Sequence, residues 1–215
     1  NNVVRTTKVL SSPRGNALLI GIGGSGKRST ARLSSAIADT QLFTLTPQGK
    51  SGGGKGAPAY RQEVFRDDIK GILNVCGKEG KSCTLLINDS DIVDDSQLED
   101  INSLLNSGEI PECFDPDETE DIISEMRKVV RSSGSVGNVS IDRNYLLDLF
   151  NNRVLDHLHV VLCMSPSDPA FKRRLRLFPS IVNNSTCLYF QQWPKDALMA
   201  VGEKYMSCWE KKVKT

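Results

Sequence analysis

Aromatic residues make up only 6 % of this 215-residue sequence, with two tryptophans and two histidines. So few rings give little material for an aromatic platform that stacks bases. His157 and His159 look metal-like, but no third ligand stands near them, and a metal site needs its full ligand count. The chain has no apolar run approaching the roughly 18 residues that span a bilayer, which argues against a membrane helix. Six cysteines are present without a C-x-x-C pair, so reduced, buried thiols of a cytoplasmic protein are expected rather than a disulfide framework or zinc site. The formal net charge of +1 lacks the basic excess of a nucleic-acid binder. The first residues contain neither an initiator methionine nor the apolar core of a signal peptide, so the chain is expected to be cut from a longer one. No G-x-S-x-G nucleophile pattern and no N-K-x-D guanine signature occur.

Against these absences stands one dense motif, Gly21-Ile22-Gly23-Gly24-Ser25-Gly26-Lys27-Arg28-Ser29. It follows the apolar run Ala17 to Ile20 and opens a helical pattern, Ser25 to Ala38. A strand, a glycine loop ending in lysine and a helix form the layout of a phosphate-binding loop. Successive backbone N–H groups in such a turn point inward at phosphate oxygens, and the helix N-terminus adds a favourable dipole. Lys27 would reach the outer phosphates. The pattern G-x-x-x-x-G-K-[ST] calls for a metal-holding hydroxyl after the lysine, and Arg28 occupies that place with Ser29 beside it. Gly21, Gly23 and Gly26 also satisfy G-x-G-x-x-G, yet the next strand, Gln41 to Leu45, lacks the acid that would bind a ribose. A glycine turn with no ligand is the remaining alternative.

Along the chain, 1–14 read as a polar, turn-rich entry. Apolar runs at Gly15–Ile22, Gln41–Leu45, Cys83–Asn88, Leu158–Met164 and Thr186–Phe190 read as strands. Helical spacing marks Tyr60–Val75, Ser96–Asn106, Thr119–Arg131, Asp142–Leu155, Pro169–Leu177 and Pro194–Lys212, with Ser96 and Glu99 forming a capping box. Pro47–Pro58 and Ser132–Val139 read as flexible loops. Five buried strands alternating with helices give an α/β fold, a five-stranded parallel sheet with helices on both faces. Ligands of such sheets bind beyond the strand C-terminal ends.

The third strand ends at Asn88-Asp89, where nucleoside triphosphatases place an acid that holds Mg²⁺ and a second acid that polarises water. An amide at 88 lacks the charge that favours a hard cation. Asp89 is the candidate catalytic acid, or else the start of a solvated acidic loop with Asp91, Asp94 and Asp95. Ser165, after the fourth strand, is either a sensor of the outer phosphate or a turn residue. The run Phe171-Lys172-Arg173-Arg174-Leu175-Arg176 reads as a solvated basic face or as a contact to a neighbouring module. Candidate nucleotide contacts are thus Gly21, Gly23, Gly24, Ser25, Gly26, Lys27, Arg28, Ser29, Asn88 and Ser165. Ser29 and Asp89 are the candidate Mg²⁺ ligands.

Gly15 to Lys27, Leu104-Leu105-Asn106-Ser107-Gly108-Glu109-Ile110-Pro111, Leu158 to Pro166, Phe178 to Asn183 and Gln192-Trp193-Pro194-Lys195-Asp196-Ala197-Leu198 resemble an AAA+ module of dynein heavy chains. They are most similar to the fourth module of axonemal dyneins, just before the stalk. The likeness runs from about Gly15 to Tyr205, and Gly49–Gly56 departs from it. It implies a three-layer P-loop AAA+ large subdomain at 15–205. Residues 1–14 would then be a linker from the preceding module, and 206–215 the start of the connection to a small helical subdomain. The family implies a six-module ring in one heavy chain, which steps along microtubules with ATP hydrolysis in the ring. It also implies that the fourth site is regulatory and that a coiled-coil stalk lies elsewhere in the chain. The expected ligand is ATP or ADP, with Mg²⁺ possible. Expected partners are neighbouring modules, the microtubule and other dynein arm subunits, with neither nucleic acid nor membrane. The expected place is the cytoskeleton of a cilium or flagellum, in the axoneme. The arginine finger offered to a neighbour should follow Phe178-Pro179, but Asn183-Asn184 stand there, with Arg174 or Arg176 as substitutes. With Arg28 and Asn88 in place of metal-holding groups, slow or absent hydrolysis is expected. An active ATPase and a structural segment with an empty loop are the alternatives.

Overall fold

Each apolar run becomes a strand. The computed structural model describes residues 2–45, 62–132 and 142–213. Strands β1 (Ala17–Gly21), β2 (Gln41–Thr44), β3 (Cys83–Asn88), β4 (Leu158–Met164) and β5 (Thr186–Phe190) pair in parallel in the order β2-β3-β4-β1-β5. Every residue of β1 and β4 is buried, as a sheet covered on both faces requires. The two-residue period of the strands divides their side chains between two cores. Leu18, Ile20, Leu85, Ile87, Val160 and Leu162 face one core. There they meet α3 (Gln62–Asn74), α4 (Asp95–Ser107), α5 (Pro116–Ser132) and α6 (Arg143–His157). Ala17, Leu19, Leu86, Val161, Cys163 and Leu188 face the other, under α1 (Asn2–Leu10) and α2 (Lys27–Ile37). The chain continues through α7 (Phe171–Leu177) and α8 (Ser180–Asn183), and ends in α9 (Lys195–Val213).

Several local expectations are corrected. Residues 2–10 form a helix rather than a turn-rich entry, because Thr6 and Leu10 are buried where α1 lies along α2. The pattern there is polar, so tertiary burial decides its conformation. Ser96 does not cap α4. Asp94 is the N-cap, and the Ser96 hydroxyl lies within the first turn, donating to Gln62 Oε1 and Asp94 Oδ2. A capping box does form one element earlier, between Asn88 and Asp91. His157 ends α6 rather than sharing a strand face with His159. His159 is buried in β4, with Nδ1 2.9 Å from Gly15 O. A carbonyl only accepts, so Nδ1 carries the proton, and burial pushes this histidine's pKa down. Among the described side chains no group of three His, Cys, Asp or Glu is placed to hold a metal ion, and Cys76, Cys83, Cys113, Cys163 and Cys187 are free thiols. The loop expected at 47–58 lies outside the described residues, as does the one expected at 132–139 apart from Ser132, which ends the α5 helix.

The α3 helix ends in a π-helical turn, Val75–Glu79, that the sequence pattern does not announce. Its Gly77 lies against the Phe150 ring of α6, and a Cβ there would sit 2.1 Å from a ring carbon. Arg153 Nε also donates to Gly77 O at 2.6 Å. Gly77→Ala must therefore displace Phe150, which is only 3 % exposed, and the expected loss of stability is about 1–3 kcal/mol. Urea unfolding of the variant measures this, and an unchanged midpoint would contradict the packing described.

Candidate functional site

The strand order brings the C-terminal ends of β3, β4 and β1 side by side. Asn88 pairs with Cys163, and Ile20 with Met164. The glycine loop leaves β1 at this edge and turns into α2. Gly21 ends the strand opposite Phe190. Gly24 and Gly26 hold φ of 75° and 89°, a left-handed backbone that side chains resist. Gly23 has open space around it, with no atom within 4 Å of where a Cβ would stand. The loop closes on itself as Ser25 Oγ donates to Ile22 O at 2.8 Å. Lys27 Nζ donates to Gly21 O at 2.6 Å and to Ile22 O at 2.9 Å. The ammonium thus sits at the mouth of the turn, held by carbonyls and, among the described residues, by no carboxylate.

A cleft of about 480 Å³ opens over this loop. Gly23 through Ser29 form one wall, and Asn88, Asp89, Ser90, Cys163 and Ser165 form the other. Nine of the ten residues expected to touch a nucleotide therefore surround one space. Gly21 lies behind the wall, supplying the carbonyl that takes Lys27. Arg28 and Ser29 are both exposed on the first turn of α2, so the guanidinium and the hydroxyl share the rim. Cys163, which the sequence reading left out, is buried beneath the loop, and burial pushes its thiol up to about 12. It is an inert floor at neutral pH.

The two residues after β3 have separate tasks. Asn88 faces Asp91. Its backbone N–H donates to Asp91 Oδ2 at 3.0 Å, and its amide Nδ2 donates to the same oxygen at 2.5 Å. Asp91 is 6 % exposed, so the alternative of a solvated acidic loop holds only in part, Asp91 being buried and paired. Asp89 points across the strand ends instead. Its Oδ2 accepts the Ser165 N–H at 2.5 Å, and its Oδ1 is buried without a partner among the described residues. Burial raises the Asp89 pKa, against the opposing pull of the Ser165 N–H and the Lys27 charge. Ser165 contributes its backbone N–H here, while its hydroxyl accepts from Ser167 N.

The loop after β4 is gripped from the other side as well. Arg174, with a side chain only 14 % exposed, pairs with Asp95 and Asp168, and Arg173 also reaches Asp95. The basic run is thus a solvated face only in part, and Arg174 is engaged within the chain. Arg176 is exposed and has no acidic partner among the described residues. Asn184 turns back to donate to Leu105 O at 2.9 Å.

A family model described as "P-loop containing dynein motor region D4" matches residues 1–215. The chain belongs to this dynein motor family. The chain is 38 % identical over 206 residues to "Dynein-1-beta heavy chain, flagellar inner arm I1 complex" of Chlamydomonas reinhardtii, covering 96 % of this chain. It is 39 % identical over 203 residues to "Dynein axonemal heavy chain 2" of Homo sapiens, covering 94 %. It is 37 % identical over 207 residues to "Dynein axonemal heavy chain 6" of Homo sapiens, covering 96 %. The chain spans 4 % of the first two relatives and 5 % of the third. The five-stranded parallel sheet with surrounding helices agrees with an AAA+ P-loop domain, and the family implies nucleotide binding in general. No helix among the described residues is long and apolar enough to cross a membrane.

The cleft can receive a phosphate chain. Its loop carries left-handed glycines at 24 and 26, and the cations lining it are Lys27 and Arg28. It fits a directly held Mg²⁺ less well, because the one carboxylate among its lining residues is Asp89, with the Ser29 hydroxyl at the rim. Two outcomes follow from the Asp89 and Asn88 geometry. An acid whose folded pKa is raised gives stability that is complete below its unfolded pKa, near 3.8, and is lost as pH rises through the folded value. Asp89→Asn, which keeps an oxygen for Ser165 N–H, should flatten that decline, as seen in urea midpoints between about pH 4 and pH 7. A decline as steep as the parent's would argue against a buried, orphaned carboxylate. Asn88→Asp sets a carboxylate against Asp91 and should cost about 1–3 kcal/mol at neutral pH. It should recover at low pH, where the acid proton replaces the amide hydrogen.

Proposed function

We propose that this chain is the fourth AAA+ module of an axonemal dynein heavy chain, a regulatory site that holds ATP or ADP with slow or absent hydrolysis. One observation carries the reading. A complete glycine cradle with its lysine faces strand ends where the one carboxylate lining the cleft, among the described residues, is Asp89. Phosphoryl transfer depends on metal-assisted charge neutralisation and on a positioned water. Here Arg28 replaces the metal-holding hydroxyl, and the Asn88 amide is committed to Asp91. Binding needs only the backbone N–H groups, the helix terminus and Lys27, all of which are in place. Mg²⁺ carried by the nucleotide would neutralise phosphate charge, drawing on Asp89 Oδ1 and Ser29 Oγ. Asp89 is the residual catalytic acid, and Ser165 lies beside the outer phosphate.

In this reading 15–205 form the AAA+ large subdomain. Residues 1–14 enter from the preceding module, with α1 lying on α2, and 206–215 begin the connection to a small helical subdomain. The module's partners are its neighbours in the ring, the microtubule reached through the stalk of the full chain, and other dynein arm subunits. Its place is the axoneme of a cilium or flagellum. The names of the relatives, all dynein heavy chains and most of them called axonemal, support this.

Calorimetric titration with ATP and with ADP in the presence of Mg²⁺ tests the reading. Both nucleotides should bind, and Lys27→Ala should weaken them roughly tenfold to a hundredfold, the span of one charge-assisted hydrogen bond. No heat of binding would leave a structural ring segment. Turnover of several ATP per second, in an intact heavy chain where only this loop is functional, would instead make the module an active ATPase.

A further inference from the structure

Trp193 is not part of the cleft wall, yet it grips the glycine loop at its most constrained peptide. Its indole Nε1 donates to Ser25 O at 3.0 Å. A Cβ at position 26 would stand 3.5 Å from the ring, so the indole lies flush against Gly26. Gly26 is left-handed and caps the N-terminus of α2. Ser25 is tied on its other side, since both its N–H and its hydroxyl donate to Ile22 O. The Ser25–Gly26 peptide is thus held at its carbonyl by Trp193, beside a Ser25 that is itself tied to Ile22. A trans peptide is planar, with its carbonyl and N–H pointing in opposite directions, and the described residues contain no cis bond. Drawing the Ser25 carbonyl towards Trp193, outside the cleft, turns the Gly26 N–H the opposite way, towards the cleft that Gly26 lines. Consecutive N–H groups aimed into one hollow are what makes such a loop an anion cradle.

We propose that Trp193 is a positioning residue of the phosphate loop, which holds the Ser25–Gly26 peptide so that the Gly26 N–H meets a nucleotide phosphate. The proposal rests on the nucleotide-holding function above and adds how the cradle keeps its shape. An indole suits this task because its N–H only donates, which makes the contact directional. Packing alone is a weak reason for a tryptophan here, since the residue remains 40 % exposed. The strut also has an origin outside the loop. Trp193 lies between β5 and Pro194, whose carbonyl accepts the Leu198 N–H at the start of α9. The phosphate loop and the entrance to the last helix therefore share one hydrogen bond, and the set of that helix bears on the cradle.

Trp193→Phe keeps a flat ring and removes the donor. Titrated with ADP and Mg²⁺, the 215-residue chain carrying it should bind about fivefold more weakly than the parent, the equivalent of one neutral hydrogen bond, with an unchanged melting midpoint. In ¹⁵N-resolved spectra the Gly26 amide should shift on ADP addition in the parent and shift less in the variant, a readout that general loosening does not produce. Equal affinity together with an equal Gly26 shift would overturn the proposal and leave the nucleotide site standing. Failure of the parent itself to bind ADP would overturn both. If the variant unfolds, Trp209→Phe, which leaves Trp193 as the only indole, supplies the second arm. Its emission should change on ADP binding, and a constant spectrum with binding intact would refute the contact's role.

Discussion

The parallel pairing of β1 between β4 and β5 is the constraint on which the site depends. A central strand buried on both faces cannot slide by one residue without exchanging its two cores. Leu18 and Ile20 belong to one core, and Ala17 and Leu19 to the other, so the position of Gly21 at the sheet edge is fixed. The same register places Asn88 beside Cys163, and Asp89 across from Ser165. The cleft is therefore a consequence of strand order. The loop, the acid and the residue after β4 converge because the chain passes β1, β3 and β4 through neighbouring places in one sheet.

The strands and the cradle were legible in the sequence, for a physical reason. Fully buried parallel strands must be apolar without interruption, and a phosphate loop must contain glycines at fixed spacing, so both leave local marks. What was not legible depended on distant partners. Asn2–Leu10 is helical because Thr6 and Leu10 are covered by other elements, and nothing in a polar, threonine-bearing run announces that cover. His157 and His159 share a sequence pattern but not an element, since α6 runs directly into β4. Ser96 looked like a cap because Glu99 follows at capping-box spacing, yet the turn after β3 carries the chain in at Asp94. Trp193 touches Ser25 across 168 positions, a separation at which no sequence spacing carries a signal.

Asn88 shows why residue identity alone misleads at such a site. From the sequence its amide reads only as a lost carboxylate. In the structure it supplies hydrogen bonds to Asp91 and shapes the turn that delivers Asp89 to Ser165. The buried Asp91 carboxylate needs those donors, because a buried charge without partners is costly. The amide therefore removes a metal ligand and stabilises a turn at once, and the two effects cannot be separated by restoring the acid.

The electrostatics of the cleft favour an anion over a free cation. Lys27 lies on carbonyls, Arg28 stands at the rim, and burial raises the Asp89 pKa. Arg174, which would otherwise add positive charge near Asp89, is neutralised by Asp95 and Asp168. That pairing leaves the loop after β4 held at two points, by Asp89 through Ser165 and by Arg174 through Asp168. Movement of that loop would have to break a buried carboxylate contact and an ion pair together. On the proposed reading, a phosphate arriving in the cradle competes for Lys27 and raises the electrostatic stake on Asp89.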